Sequence, residues 1–316
     1  MRPKITVIGS LNMDLVVKTI KFPDDGETIL GENVEYFSGG KGANQAVAAS
    51  RLGADVSMIG AVGDDVYGNK LKESLNKDKI DTSSVKSASG ETSGLAFIFV
   101  SKTENRIVVV PGANFNCTKD DIDLHQDKIR DSDIVLLQME IPLETVSYAA
   151  SIAKKFNKTV ILNPAPAQKL PDDLLKNVDI LTPNETELQL LTNNESKNID
   201  FNDQMDLLLR KGVKYVITTV GAKGVLYKSY QQEMRALPGF DVPVVDTTGA
   251  GDSFNGGLAY ALGKGVEFTE AILFANKVAA LSVCKAGGQP GMPTLDEVKE
   301  FDSKLEKLLN KEDIKL

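Results

Sequence analysis

The stretch Asp133-Ile134-Val135-Leu136-Leu137-Gln138-Met139, then residues 143–156, then Thr159-Val160-Ile161-Leu162 sets the fold class. Its outer pieces are short and apolar and read as strands, while the segment between them has helical spacing. Strand, helix, strand is the crossover unit of a parallel sheet. The alternation continues in both directions. Toward the N-terminus, 5–8 reads as a buried strand ending at Gly9-Ser10, and 43–52 as a helix stopped by Gly53. A strand over 56–61 and a helix over 67–75 follow. Toward the C-terminus, 172–177 reads as helical, 180–181 as the end of a short strand, and the chain from Asn184 as helical again. Next come a helix over 203–211, a strand over 215–220 and helices over 252–262, 269–284 and 295–309. The expectation is an α/β fold with a mainly parallel sheet covered on both faces. With no internal repeat or low-complexity linker, residues 1–316 read as one domain.

Two regions interrupt the alternation: 15–20 with 32–37, and 95–110. In the second, Leu95-Ala96-Phe97-Ile98-Phe99-Val100 and Arg106-Ile107-Val108-Val109-Val110 flank Lys102-Thr103-Glu104-Asn105, a β-hairpin apolar on both faces. A solvated hairpin alternates, so each face needs a cover. A ligand cleft and a partner subunit would serve, as would the hairpin's own domain.

Counting excludes several chemistries. The 316 residues are 42% hydrophobic and 25% charged, which are globular proportions. Thirty-six basic against forty-four acidic residues give a net charge of −8, which argues against a nucleic-acid partner. The single histidine, His125, lies in a polar stretch and reads as a solvated helix position; histidine-rich metal sites are impossible. Cys117 and Cys284 are far apart and read as free thiols of a reducing compartment. Neither a signal peptide nor a membrane span is visible, so the expectation is a soluble, cytoplasmic protein without a membrane partner.

Five segments carry chemistry. Asp246-Thr247-Thr248-Gly249-Ala250-Gly251-Asp252 runs into a helix. Its glycines and the helix N-terminus make a nest of N–H groups suited to a phosphoryl group in transfer, and Asp252 suits proton acceptance from a hydroxyl. A plain turn, with Asp252 complementing the helix dipole, fits the same residues. Gly39-Gly40-Lys41-Gly42-Ala43-Asn44-Gln45 opens another helix, with Lys41 and Asn44 as hydrogen-bonding side chains. Asn12 and Asp14, two apart on an extended chain, face one side and suit the hydroxyls of a polyol, or form an ordinary polar strand exit. Glu140 stands at a second strand exit, where ligands of open α/β sheets collect. In Thr182-Pro183-Asn184-Glu185-Thr186-Glu187, Thr182 and Glu185 read as a capping box, which leaves Asn184 and Glu187 free for a hydrated Mg²⁺. Thr219-Val220-Gly221-Ala222-Lys223-Gly224 is a Gly-rich strand exit able to line nucleotide phosphates.

Together these segments resemble the ribokinase-type carbohydrate and nucleoside kinase family, over residues 5–298. Residues 39–53 resemble its first signature and 246–257 its second. The resemblance implies a three-layer α/β/α core with a small β-sheet lid, formed by about 14–37 and 94–111, and homodimers joined through the lids. It implies transfer of the ATP γ-phosphoryl group to the O5 hydroxyl of D-ribose. By position, Asp252 matches the base, and the amides of Gly249, Ala250 and Gly251 match the anion hole. Asn12, Asp14, Gly40, Lys41, Asn44 and Glu140 match the sugar contacts, with Asp252. Asn184, Thr219, Gly221, Lys223, Gly224, Gly251 and Asn276 match nucleotide contacts. Glu187 matches the acidic residue near Mg²⁺. Asp246, Thr248, Ser282, Lys285, Gly287 and Gly291 match the loops around an activating K⁺. The other readings are a different sugar or nucleoside kinase of the family and a non-catalytic sugar-binding regulator on its fold.

Overall fold

A computed structural model describes residues 1–101, 105–193, 199–230 and 232–312. The strands are β1 (Lys4–Ile8), β2 (Asn12–Lys18), β3 (Asn33–Gly39), β4 (Asp55–Gly63), β5 (Asp81–Ala88), β6 (Gly94–Val100), β7 (Asn105–Val110), β8 (Ile134–Leu137), β9 (Thr159–Leu162), β10 (Ile180–Leu181), β11 (Tyr215–Thr219), β12 (Val225–Ser229) and β13 (Arg235–Leu237). The helices are α1 (Lys41–Arg51), α2 (Val66–Lys77), α3 (Lys119–Leu124), α4 (Gln126–Asp131), α5 (Leu143–Lys155), α6 (Asp172–Leu175), α7 (Glu185–Leu191), α8 (Phe201–Arg210), α9 (Ala250–Gly263), α10 (Phe268–Ser282), α11 (Gly288–Gly291) and α12 (Leu295–Glu312).

The main sheet has the order β13-β12-β11-β10-β9-β8-β1-β4-β5. From β11 to β5 every pairing is parallel, and β12 and β13 add an antiparallel edge. Its central strands are apolar on both faces because both faces are covered. Ile5, Val7, Leu136, Ile161 and Ile217 face one buried core, shared with α1, α9 and α10. Ile8, Val135, Leu137, Val160, Leu162 and Val216 face the other, shared with α5 and α8. The result is a three-layer α/β/α arrangement. A second sheet, β3-β2-β6-β7, stands apart from the first.

Three strands were not legible in advance. Asp-Thr-Ser-Ser-Val-Lys-Ser-Ala makes β5, an edge strand whose buried side chains are only Ser84 and Val85. The remaining two form a short edge pair: β12 has only Val225-Leu226-Tyr227 before Lys228 and Ser229, and β13 has no apolar run. His125 is not in a solvated helix: it is half-buried at the break between α3 and α4, with φ −117° and ψ 26°. Of the hairpin connection, residues 102–104 lie outside the described residues. Cys117 and Cys284 are free thiols. No helix among the described residues is long and apolar enough to cross a membrane.

Candidate active site

Strand order reverses between β1 and β8, and the site is built at the carboxyl ends of these strands. Glu140 follows β8. Its Oε2 accepts from the Ser10 hydroxyl at 2.5 Å, the Lys41 N–H at 3.1 Å and Asn12 Nδ2 at 3.5 Å. Asn12 and Asp14 lie inside β2, paired with Gly39 and Phe37 of β3. Asn12 Oδ1 accepts from Asn114 Nδ2 at 2.7 Å, and Asn114 also clamps both backbone groups of Leu11. The Asp14 carboxylate lies over Gly39, where an added Cβ would come within 2.2 Å of Oδ2.

Helices α1 and α9 cross closely at Gly256, where a Cβ would meet that of Ala48 at 2.5 Å. That approach sets their first turns side by side. Asn44 Nδ2 donates to Asp252 Oδ2 at 2.9 Å, and Gln45 Nε2 to Oδ1 at 3.1 Å. Before them, Gly249 takes φ +76° as the N-cap of α9, a left-handed conformation that suits glycine. Of the three amides expected to form the nest, that of Ala250 donates to Thr247 O at 3.2 Å. Those of Gly249 and Gly251 have no partner among the described residues, as expected of unpaired donors before and in a first helical turn.

Charge is concentrated here. Burial pushes the Asp14 carboxyl up to about 7, with Glu140 and Asp252 adding to the effect and Lys41 opposing it. Burial also raises Asp252, against Lys41 and the hydrogen bonds from Asn44 and Gln45. Glu187 is raised by burial despite the Asn184 N–H and Lys41. Burial works against the Lys41 ammonium, but Asp252, Glu140, Glu187 and Asp14 together hold it above the usual lysine range. One cation therefore serves four carboxylates.

Two hollows meet at this point. A cleft of about 220 Å³ is lined by Lys41, Asn184, Glu187, Gly249, Gly251 and Asp252, among others. A larger, mainly apolar cavity of about 540 Å³ continues from Thr219, Ala250 and Gly251 to Gly221, Gly224 and Asn276, walled by Phe240, Val242, Val244 and Val283. Lys223 is exposed and lines neither hollow. Asn276 faces the larger one but donates to Pro238 O at 2.8 Å.

The capping box of α7 is not the one expected. Thr182 continues the sheet, its N–H bonded to Leu162 O at 3.0 Å, and its hydroxyl donates to Asn255 Oδ1 at 2.7 Å. The chain turns only at Asn184, which accepts from Glu187 N at 2.8 Å while Glu187 Oε2 accepts from Asn184 N at 2.9 Å. Asn184 and Glu187 are thus the box themselves. One Glu187 oxygen is left without a hydrogen bond among the described residues.

The segments expected around K⁺ also converge. Asp246 accepts from the N–H groups of Thr248 at 2.9 Å and Gly287 at 2.8 Å; burial opposes its ionisation, but these bonds hold it below the usual carboxylate range. A Cβ on Gly291 would lie 2.6 Å from Ser282 O and 3.5 Å from Lys285 O. The Lys285 side chain pairs with Glu297 instead. Among the described residues no group of three or more His, Cys, Asp or Glu is placed to hold a metal.

Ser10, Asn114, Gln138, Asn163, Asn255 and Gln289 were not singled out by the sequence. Each is a neutral polar residue inside an element or turn, and only its depth in the fold gives it meaning.

The pfkB family carbohydrate kinase model matches residues 2–295. The chain is 45% identical over 308 residues to the ribokinase of Haemophilus influenzae, covering 95% of this chain and 99% of that one. It is 42% identical over 297 residues to the ribokinase of Bacillus subtilis, covering 94% and 98%. Among solved structures it resembles Arabidopsis thaliana ribokinase complexed with ribose and ATP, with a TM-score of 0.87 and 33% identity over 95% of this chain and 98% of that one. A fold of this closeness, with matching length on both sides, leaves one assignment: the chain is a kinase and belongs to the pfkB family of carbohydrate kinases.

Proposed function

We propose that the protein transfers the γ-phosphoryl group of ATP to the O5 hydroxyl of D-ribose, giving D-ribose 5-phosphate and ADP. The observation that carries this reading is the position of Asp252. It is buried, held by two neutral amides, and lines the cleft shared by Lys41 and the glycine nest, with the charges of Asp14 and Glu140 acting on the same Lys41. Ribose presents hydroxyls, which suit donors and acceptors that are fully paired only when the sugar is bound. Asn12, Asp14, Gly40, Lys41, Asn44 and Glu140 supply them in this reading. Asp252 takes the O5 proton as O5 attacks phosphorus, and the ADP oxygen leaves on the opposite side. The amides of Gly249 and Gly251, with the start of α9, receive the spreading negative charge. Adenosine and its phosphates fit the larger cavity, along Thr219, Gly221, Gly224, Gly251 and Asn276, with Asn184 at the inner end.

Mg²⁺ fits the unpaired oxygen of Glu187, since this ion keeps most of its waters and takes few protein ligands; when bound it spreads the phosphate charge. K⁺ fits the convergent carbonyls of Ser282 and Lys285 with Asp246, Thr248, Gly287 and Gly291, and when bound it supplies positive charge near the anion nest. The small sheet serves as a lid over the sugar. On β7, Ile107, Val108, Val109 and Val110 are consecutive and all exposed, at 56, 56, 44 and 41%. A solvated strand alternates, so a homodimer formed on this sheet is the proposed assembly.

A coupled ADP-release assay with D-ribose, ATP and Mg²⁺, in K⁺ and again in Na⁺, tests the reading. Ribose-dependent turnover stimulated by K⁺ is expected. Turnover indifferent to K⁺ would discard the ion loops and keep the kinase. Turnover with 2-deoxyribose, fructose or adenosine in place of ribose would move the assignment to another acceptor.

A further inference from the structure

Each oxygen of Asp252 accepts from a neutral amide, and each of those amides is held by a second one. Gln45 donates to Oδ1, and its own Oε1 accepts from Gln138 Nε2 at 2.7 Å. Asn44 donates to Oδ2, and its own Oδ1 accepts from Gln289 Nε2 at 3.1 Å. The second Gln45 proton goes to Asn163 Oδ1 at 3.2 Å. Both outer glutamines are buried, Gln138 at 0% exposure and Gln289 at 5%. They come from unrelated places: Gln138 directly follows β8, and Gln289 lies in α11. Gln138 is confined by packing alone, its Oε1 buried without a hydrogen-bond partner among the described residues, and Gln289 is anchored through its backbone. A Cβ on Gly9 would come within 1.9 Å of Gln138 Oε1, so that side chain rests on bare backbone. The backbone carbonyl of Gln289 accepts from Arg51, which is also paired with Asp78.

An amide has a donor end and an acceptor end of nearly one shape. Turned over, Gln45 or Asn44 would aim a carbonyl oxygen at the carboxylate. A glutamine donating to the far oxygen removes that choice. We propose that Gln138 and Gln289 are positioning residues, which lock Gln45 and Asn44 with their donor ends toward Asp252 and so fix the orientation of the catalytic carboxylate. This inference rests on the assignment of Asp252 as the base. The arrangement orients the base without adding a charge beside it. The charged groups that act on Asp252 are Lys41 from α1, Asp14 from β2, Glu140 after β8 and Glu187 from α7, and neither glutamine changes their number.

The test uses Gln138→Met and Gln289→Met, with steady-state kinetics in D-ribose, ATP, Mg²⁺ and high K⁺. Each variant is expected to lower kcat about tenfold or more, the scale of a slightly misplaced group, with KM for ATP within about twofold. The acid limb of the kcat profile is expected to move to higher pH, because an amide free to turn donates less to the charged carboxylate. Loss of packing alone would not move that limb. In a Gln45→Met background, adding Gln138→Met is expected to cost less than about twofold, because its effect passes through Gln45. Folded variants with wild-type kcat and an unmoved limb would overturn the proposal, and so would full additivity in the double variant. Should Gln138→Met fail to fold, the Gln289 arm decides alone. Wild-type protein without ribose-dependent turnover would sink the kinase reading first, and unchanged kcat in Asp252→Asn would sink the base and this inference with it.

Discussion

Asp14 offers a perturbation whose size follows from the structure. Its carboxyl is shifted from 3.8 to about 7, with burial as the main cause. The folded value lies above the unfolded one, so between pH 3.8 and 7 the native state binds more protons and stability falls as pH rises. At about 1.4 kcal/mol per pKa unit, the shift lowers stability by about 4 kcal/mol at pH 8, where both states are ionised, and by about 2 kcal/mol at pH 5, where the fold must hold a proton that the unfolded chain releases. Asp14→Asn removes that cost. The free variant should be more stable than wild type at pH 8 by up to about 4 kcal/mol, and the gain should shrink toward about 2 kcal/mol at pH 5. Urea denaturation at both pH values measures it. The same change should weaken ribose binding, because the ionised carboxylate is the better hydroxyl acceptor. A gain of equal size at both pH values, or no gain at pH 8, would mean that Asp14 carries no such penalty in the fold.

Three further outcomes are expected. Asp252→Asn should lower kcat by about 10²–10⁴, the usual span for a positioned base, with folding intact by circular dichroism. Gly256→Ala should destabilise the protein by about 1–3 kcal/mol by thermal or chemical unfolding, because the new methyl meets Ala48 Cβ at 2.5 Å and the backbone of α1 at 2.9 Å. Val108→Asp places a charge on the exposed strand of the small sheet, and light scattering is expected to show a dimer for the parent, as proposed, and a monomer for the variant; a monomeric parent or an unchanged mass would remove the assembly.

The α/β core was legible because buried parallel strands and their helices carry strong, separate periodicities. Ile134 to Leu137 and Thr159 to Leu162 appear where the sequence put them. The strand β5 was not legible, since an edge strand buries little and Ser-Ser-Val-Lys has no pattern to show. Of the site, the glycine-rich segments stood out because tight turns at helix starts need glycine. Gln138 could not, because a glutamine in an apolar strand reads as one polar interruption until its partner in α1 is known. The capping box failed for a related reason. Thr182-Pro183 satisfies the local rule, but the sheet claims the Thr182 N–H, and that long-range bond outweighs the local preference.

The charge pattern of the site carries a consequence for how substrates enter. Four carboxylates surround one ammonium, in a place that must admit a polyphosphate. Left fully ionised and empty, such a cluster would repel ATP. Burial disfavours the charged forms of Asp14, Asp252 and Glu187, and the Asp14 carboxyl is pushed up to about 7. If ribose binds as proposed, a sugar hydroxyl donating to Asp14 favours its ionised form and displaces a proton. Ribose binding near pH 7 should therefore release protons to the buffer, and calorimetry in two buffers of different ionisation enthalpy measures how many. An enthalpy independent of buffer would mean that Asp14 keeps its charge state when the sugar arrives.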